Sequence, residues 1–192
     1  MPDALTSYLL SFKNLPYTEQ EIIGKYFIKQ TYQDSETLFH SGNICRDLFF
    51  ICNGVLRIMV INEKGNEVTH YFLKENQFCT ILNSFTHEVV AQESIEAACD
   101  TEVLAISKSH LTELYKQLPY LEAIINQIIQ LGLMNKIQTR NSYLGCDSTE
   151  RYRLFLERQP EIAKRVSLTD IASYLGITPQ SLSRIRKNIA KQ

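Results

Sequence analysis

The sequence predicts an α+β chain: an antiparallel β-roll, then one long helix, then a small all-α unit. Three observations carry this. Between residues 31 and 106, short runs of β-branched and aromatic residues alternate with Gly- or Asn-containing punctuation, as in closed all-β architectures. After Pro119 the apolar spacing changes to threes and fours, the period of a helix. From Asp147 onward the segments are short, capped and net positive.

Taken in order, residues 4–30 read as short helices, with Leu5, Leu9, Leu10 and Phe12 at helical spacing. Thr18 to Glu21 has the pattern of a capping box, ahead of Ile22, Ile23, Tyr26 and Phe27. Strands are expected at Leu38–Phe39, Leu48–Ile51, Val55–Ile61, Val68–Phe72 and Val103–Ile106. Asn53-Gly54 and Lys64-Gly65-Asn66 are the expected hairpin turns, because Gly and Asn accept positive φ at little cost. The long helix carries two apolar stripes: Leu121, Ile124, Ile128, Leu131 and Ile125, Ile129, Leu133, Ile137. So wide an apolar arc must be covered on more than one side. One stripe against the roll and the other against a second copy satisfies this, and the first stripe has coiled-coil spacing. A single helix buried in a monomer satisfies it too. Beyond Gly145, Asp147 to Glu150 caps a helix with Tyr152, Leu154, Phe155 and Leu156 on its apolar side, and Pro160 is expected to close it. This divides the chain into a roll at 1–118, a long helix at 119–144 and a helical unit at 145–192.

Composition excludes several classes. With 44% apolar and 21% charged residues over 192 positions, the chain can bury a core. The five cysteines (45, 52, 79, 99 and 146) include no C-x-x-C pair, which disfavours a disulfide scaffold or zinc knuckle and suits reduced thiols in a cytoplasm. The longest purely apolar run, Leu48–Cys52, is far below the ~20 residues of a membrane span. The first residues lack the basic start and small-residue cleavage site of a signal peptide. No enzyme is expected. The four histidines form no H-x-H pair for a cupin-type metal site, and G-x-S-x-G, P-loop and H-E-x-x-H motifs are missing. Residues 147–192 hold nine Lys/Arg against five Asp/Glu, a net +4, whereas the first 146 residues sum to −5. A basic tail on an acidic body suits contact with a polyanion, although a solvated helical surface would look the same.

The informative stretch is Ser167 to Lys187. Ser167 with Asp170 begins a helix whose apolar side is Leu168, Ile171, Ala172 and Leu175. Gly176 supplies a tight turn, Ile177 plugs it, Thr178 caps the next helix, and Pro179 takes its first position, where the missing N–H is harmless. Helix, Gly turn, helix is the helix-turn-helix unit, whose second helix reads the major groove. Arg184 suits a bidentate contact to guanine and Gln180 one to adenine. Ser167, Thr178, Pro179, Ser181, Ser183 and Lys187 complete the expected DNA-facing set, with phosphate or mixed contacts.

That segment resembles the C-terminal helix-turn-helix of the Crp/Fnr transcription regulators. Phe49 to Arg57 and the Lys64–Glu67 turn resemble their cyclic-nucleotide-binding-like double-stranded β-helix. Glu150-Arg151-Tyr152 and the Pro160 region resemble the shortened DNA-binding domain of Bacteroidetes members. The resemblance implies a homodimer about the long helix, with Leu121, Ile124, Ile128 and Leu131 as its seam. It further implies double-stranded DNA as partner, an inverted-repeat operator, RNA polymerase as a possible further partner, and an effector acting across the long-helix seam, where roll and DNA-binding unit are expected to meet. Only five residues follow Lys187, so a β wing is expected to be reduced. The family's phosphate cassette pairs a Phe-Gly-Glu segment with an Arg. Here the segment reads Phe78-Cys79-Thr80-Ile81 and the Arg position falls near Ala91 and Gln92, beside Glu88 and Glu93. An acidic cassette without Arg repels a phosphate, so cyclic AMP is not the expected effector. Cys79, Thr80, Ile81, Ala91 and Gln92 remain the expected effector-pocket residues. No Cys precedes residue 45 and His70 is a lone strand histidine, which disfavours an iron–sulfur cluster and haem. The competing reading is a ligand- or protein-binding roll whose C-terminal helices contact a protein.

Overall fold

Two four-stranded antiparallel sheets face each other in the computed structural model, which describes residues 4–189. Helices α1 (Ala4–Leu9) and α2 (Tyr17–Tyr26) precede strands β1 (Ile28–Tyr32), β2 (Thr37–Phe39), β3 (Asp47–Asn53), β4 (Val55–Ile61), β5 (Glu67–Lys74) and β6 (Phe78–Cys79). Then come α3 (Leu82–His87), β7 (Ser94–Ala97), β8 (Thr101–Ser107), α4 (Lys108–Gln117) and α5 (Tyr120–Ser142). The C-terminal helices are α6 (Ser148–Arg158), α7 (Pro160–Ala163), α8 (Leu168–Leu175) and α9 (Pro179–Ile189). One sheet has the order β1-β8-β3-β6 and the other β2-β7-β4-β5.

The near-continuous apolar runs follow from sheets buried on both faces. In β3, Phe49 and Ile51 point between the sheets, where they meet Leu56, Ile95, Val103 and Ala105. Their neighbours Leu48 and Phe50 point outward and pack under α1, α2, α4 and α5 with Leu5, Ile23, Leu114, Leu121, Ile125 and Ile128. The other sheet is covered by the C-terminal helices: Val55, Phe72 and Ala98 share a core with Phe155, Ile171, Leu175 and Leu182.

Four expectations are corrected. Residues 28–30 are strand rather than helix, the opening of β1, paired in register with β8 from Ile28↔Ala105. Thr18 does not cap α2, which starts at Tyr17 behind Pro16 with no side-chain cap. Pro160 starts the short α7 instead of merely closing α6. Asn53-Gly54 is a corner, not a hairpin: β3 and β4 lie in different sheets, and β4 pairs with β5 and β7. Gly54, at φ +100°, is required there twice over, since a Cβ would lie 2.3 Å from Thr101 Oγ1 and 2.6 Å from the Asp100 carbonyl. Lys64-Gly65-Asn66 does turn a hairpin, β4–β5, with Gly65 at φ +78°.

A bulge in that hairpin positions the site. Ile58 pairs with Tyr71 but Met59 pairs with Thr69, so His70 is the extra residue. An extra residue inverts the alternation of side chains beyond it. Tyr71 and Leu73 therefore face the roll interior with Ile58, while Thr69 shares the outer face with Met59, beneath the C-terminal helices.

Candidate nucleic-acid interface and effector cavity

The helix-turn-helix is built as its residues dictate. Ser167 caps α8, accepting from Asp170 N–H at 3.1 Å while its hydroxyl donates to Asp170 Oδ2 at 2.8 Å. Gly176, at φ +68°, ends α8 and its N–H reaches the Ala172 and Ser173 carbonyls. The Ile177 N–H donates to the Ala172 carbonyl, closing a Schellman-type turn. Arg151 of α6 donates from Nη1 to the Leu175 carbonyl, satisfying another helix end. Thr178 caps α9 by accepting from Ser181 N–H at 3.1 Å. Leu182 is buried and Ile185 half-buried, which fixes the orientation of α9.

The opposite face of α9 is open. Gln180, Ser183, Arg184 and Lys187 are exposed, as are Thr178, Pro179 and Ser167 at the helix starts. Ser181 is half-buried and engaged with Thr178. Arg186, not singled out by the sequence pattern, is exposed on the same helix. Arg184, Arg186 and Lys187 have no ion-pair partner among the described residues. Other cations of this unit are engaged: Lys164 with Glu161, and Arg165 with Glu75 of β5 through Nη1 and Nη2.

The helical unit docks on the roll through β4 and β5, not across the long helix as expected from the resemblance. Arg57 of β4, with its side chain 6% exposed, sits at the centre. It meets Glu96 of β7 at 2.7 Å, Glu67 of β5 at 2.5 Å and Asp170 of α8 at 2.6 Å. Burial pushes the Glu96 carboxyl up; Arg57 opposes the shift, while Glu67 and Asp170 add to it. Ser173 of α8 accepts from the Thr69 N–H at 2.8 Å and donates to the Glu67 carbonyl at 3.0 Å. Phe72 packs edge-on against Tyr174, with ring centroids 5.2 Å apart.

Between the roll and α5 lies a cavity of about 220 Å³. Leu73, Phe78 and Ile81 of the roll and Ile129 and Leu133 of α5 form apolar walls. Of the expected pocket residues, Thr80 and Ile81 line it. Cys79 and Ala91 do not: they are 1% and 4% exposed in the core between the sheets, Cys79 turned there by strand alternation and Ala91 held in a loop that exchanges backbone hydrogen bonds with Gly42 and Asn43. Gln92 is exposed and also outside the lining. Burial pushes the Cys79 thiol well up, which keeps it protonated. The cation at the cavity, Lys136, is one the sequence did not advertise. Lys136 of α5 and His70 of the bulge line it, as does Glu93, whose charge acts on both. Lys136 Nζ lies 5.2 Å from the Tyr71 ring centroid. Burial, then the neighbouring Arg140, lowers the Lys136 ammonium, and burial and Lys136 lower His70. A second cavity of about 420 Å³ shares His70, Tyr71 and Lys136 and is closed by Ser173 and Tyr174 of α8. Of the arginines that precede Arg140, Arg57 faces away under α8 and Arg46 is exposed, so neither lines the cavity.

On α5, Leu121 and Ile128 are 0% and 4% exposed inside the chain's own core, so two of the four expected seam residues are already covered. Ile124 is half-buried, and Leu131, Met134 and Ile137 are 47%, 57% and 57% exposed. No helix among the described residues is long and apolar enough to cross a membrane.

Residues 29–118 match the cyclic nucleotide-binding domain family. The chain is 29% identical over 92 residues to the cAMP-activated global transcriptional regulator Vfr of Pseudomonas aeruginosa, covering 46% of this chain and 43% of that protein's length. It is 21% identical over 171 residues to the cAMP-activated global transcriptional regulator CRP of Pasteurella multocida, covering 84% and 82%. In fold it resembles the c-di-GMP responsive global regulator CLP of Xanthomonas campestris, with a TM-score of 0.72 at 16% identity over 92% of each chain. A Crp/Fnr-family transcriptional regulator of Thermus thermophilus gives 0.64 at 12% identity over 85% of this chain and 86% of that one. Residues 29–118 are thus matched in sequence to a cyclic nucleotide-binding domain, and the chain as a whole has the fold of the solved transcriptional regulators that it resembles.

Proposed function

We propose that this protein is a cytoplasmic, non-enzymatic, DNA-binding transcription regulator that acts as a homodimer on an inverted-repeat site. The observation that carries the reading is the open face of α9, where three cations without partners among the described residues flank Gln180 and Ser183 on a helix fixed by a capped Gly turn. Arg184 reads a base edge, Gln180 a neighbouring one, and Arg186 and Lys187 hold phosphates. The second copy packs on the exposed stretch of α5. Ile124, Leu131 and Met134 have the seven-and-three spacing of a coiled-coil seam, in place of the stripe through Leu121 and Ile128. The roll does not take a cyclic nucleotide in the family's usual way, because the Phe78–Ile81 and Ala91–Gln92 segments present no cation to a phosphate.

The test is selection of bound sites from random duplex DNA by the purified protein, followed by salt titration on the winner. An enriched palindrome whose affinity falls steeply with salt supports the reading. Arg184→Ala then weakens the selected site by about 1–3 kcal/mol and blurs one position in each half. No enrichment from a folded dimer, with or without cell extract, refutes it.

A further inference from the structure

We propose that the cavity between the roll and α5 binds a small organic monoanion: one carboxylate on an apolar body the size of a single ring or a short branched chain, its charge held by Lys136. This rests on the reading of the roll as an effector domain and names the effector's chemistry.

Size sets the first limit. An apolar cavity of ~150 Å³ accommodates benzene, and drug-sized pockets run to roughly 300–1,000 Å³. At about 220 Å³ this cavity takes a ring with a short arm. Its walls set the second. Leu73, Phe78, Ile129 and Leu133 give an apolar body a water-excluding surface, and Gly132 leaves open space on the helix side, since nothing lies within 4 Å of where its Cβ would be. Charge sets the third. Lys136 is half-buried with the Tyr71 ring beside it and no carboxylate within ion-pair distance among the described residues. Desolvation already disfavours its charge, so an incoming carboxylate restores a favourable partner in a low-dielectric site. Glu93 in the same lining offsets part of the Lys136 charge and repels a dianion about twice as strongly as a monoanion, which favours monoanions over phosphate dianions. His70, held neutral more readily than usual by burial and by Lys136, supplies a polar contact without adding a competing charge.

The experiment uses the full chain with labelled Ile and Leu methyl groups and isothermal titration. Phenylacetate and isovalerate are the probes. Their neutral amides and phenyl phosphate are the controls. The acids are expected to shift the Ile129 and Leu133 methyls, and the amides and phenyl phosphate to bind about tenfold or more weakly. Lys136→Met brings the acids down to the level of the amides and leaves the amides unchanged. Gly132→Leu fills the space and abolishes binding of both, with the far-UV circular dichroism unaltered. Silence from every probe, equal binding of acids and amides, or an unaffected Lys136→Met variant overturns the proposal. The DNA selection on the same preparation keeps the two failures apart. An enriched palindrome with silent probes retires the cavity assignment alone, and responsive probes without enrichment retire the DNA reading alone.

Discussion

Arg57→Met is expected to destabilise the protein far more than removal of any one of its partners. The guanidinium is 6% exposed and holds three carboxylates, of which Glu96 is 8% and Asp170 14% exposed. Taking the cation away leaves those acids crowded in a poorly solvated space with nothing to offset them. Breaking a buried ion pair from one side costs about 3–5 kcal/mol, against a total stability of about 5–15 kcal/mol for a domain. Asp170→Asn differs in kind, since Arg57 keeps Glu67 and Glu96 and the amide oxygen still accepts. Its expected cost is about 1–2 kcal/mol, one charge-assisted hydrogen bond reduced to an ordinary one. Urea unfolding followed by circular dichroism at pH 7 gives both values. The double variant gives their coupling, which should exceed about 1 kcal/mol for groups in contact. An Arg57→Met variant within about 1 kcal/mol of the parent would refute the reasoning. So would Asp170→Asn costing as much as Arg57→Met, because the cluster would then owe nothing to the count of uncompensated acids.

Three further outcomes are expected. Gly54→Ala meets both a positive φ and a backbone 2.6 Å away, so it should cost about 2–5 kcal/mol; unchanged thermal unfolding would show that the corner can relax. Glu75 is lowered from its ordinary 4.5 although burial alone would raise it, because Arg165 and the Gly54 N–H bind its carboxylate. The stability it contributes is complete above 4.5 and is lost as the pH falls through its lower folded value, so Glu75→Gln should flatten the acid limb of the stability curve. Glu96, shifted upward, works in the opposite sense and does not contribute to that acid loss. Leu131→Glu combined with Met134→Glu places charge on the exposed face of α5 and should yield monomers in sedimentation; a dimer that persists would place the contact elsewhere.

Much of the helix-turn-helix geometry is legible in the sequence because its signals are local. Ser167, Gly176, Thr178 and Pro179 act within four residues of themselves, and each takes the role its chemistry suggests. The roll was legible where strands are long and apolar, as in β4 and β5. It was missed where β1 reads as polar Lys-Gln-Thr and where β6 is two residues long. Asn53-Gly54 was misassigned because Gly serves a sheet-to-sheet corner and a hairpin equally well, and only pairing separates them. The cavity against α5 is the least legible part. Its walls come from β5 and α5, and Lys136 looks like any polar helix residue until the bulge at His70 turns Tyr71 toward it. The docking of α8 on the roll joins residues 113 positions apart, and nothing near either announces the other.

The core shared by Val55, Phe72 and Ala98 with the C-terminal helices changes what the boundary near residue 145 means. A unit of 45 residues or so is close to the size below which a chain cannot enclose an adequate core unaided. Here it borrows one wall from the sheet. The two parts are separated by a capped turn at Asp147 yet share this core, so calorimetry should find a single cooperative transition. Excised on its own, the C-terminal helical unit would lose the aromatic floor supplied by Phe72 and with it the support that orients α9. Anything that loosens the outer face of that sheet therefore loosens the seat of α8 and α9 directly, with no lever arm needed between them.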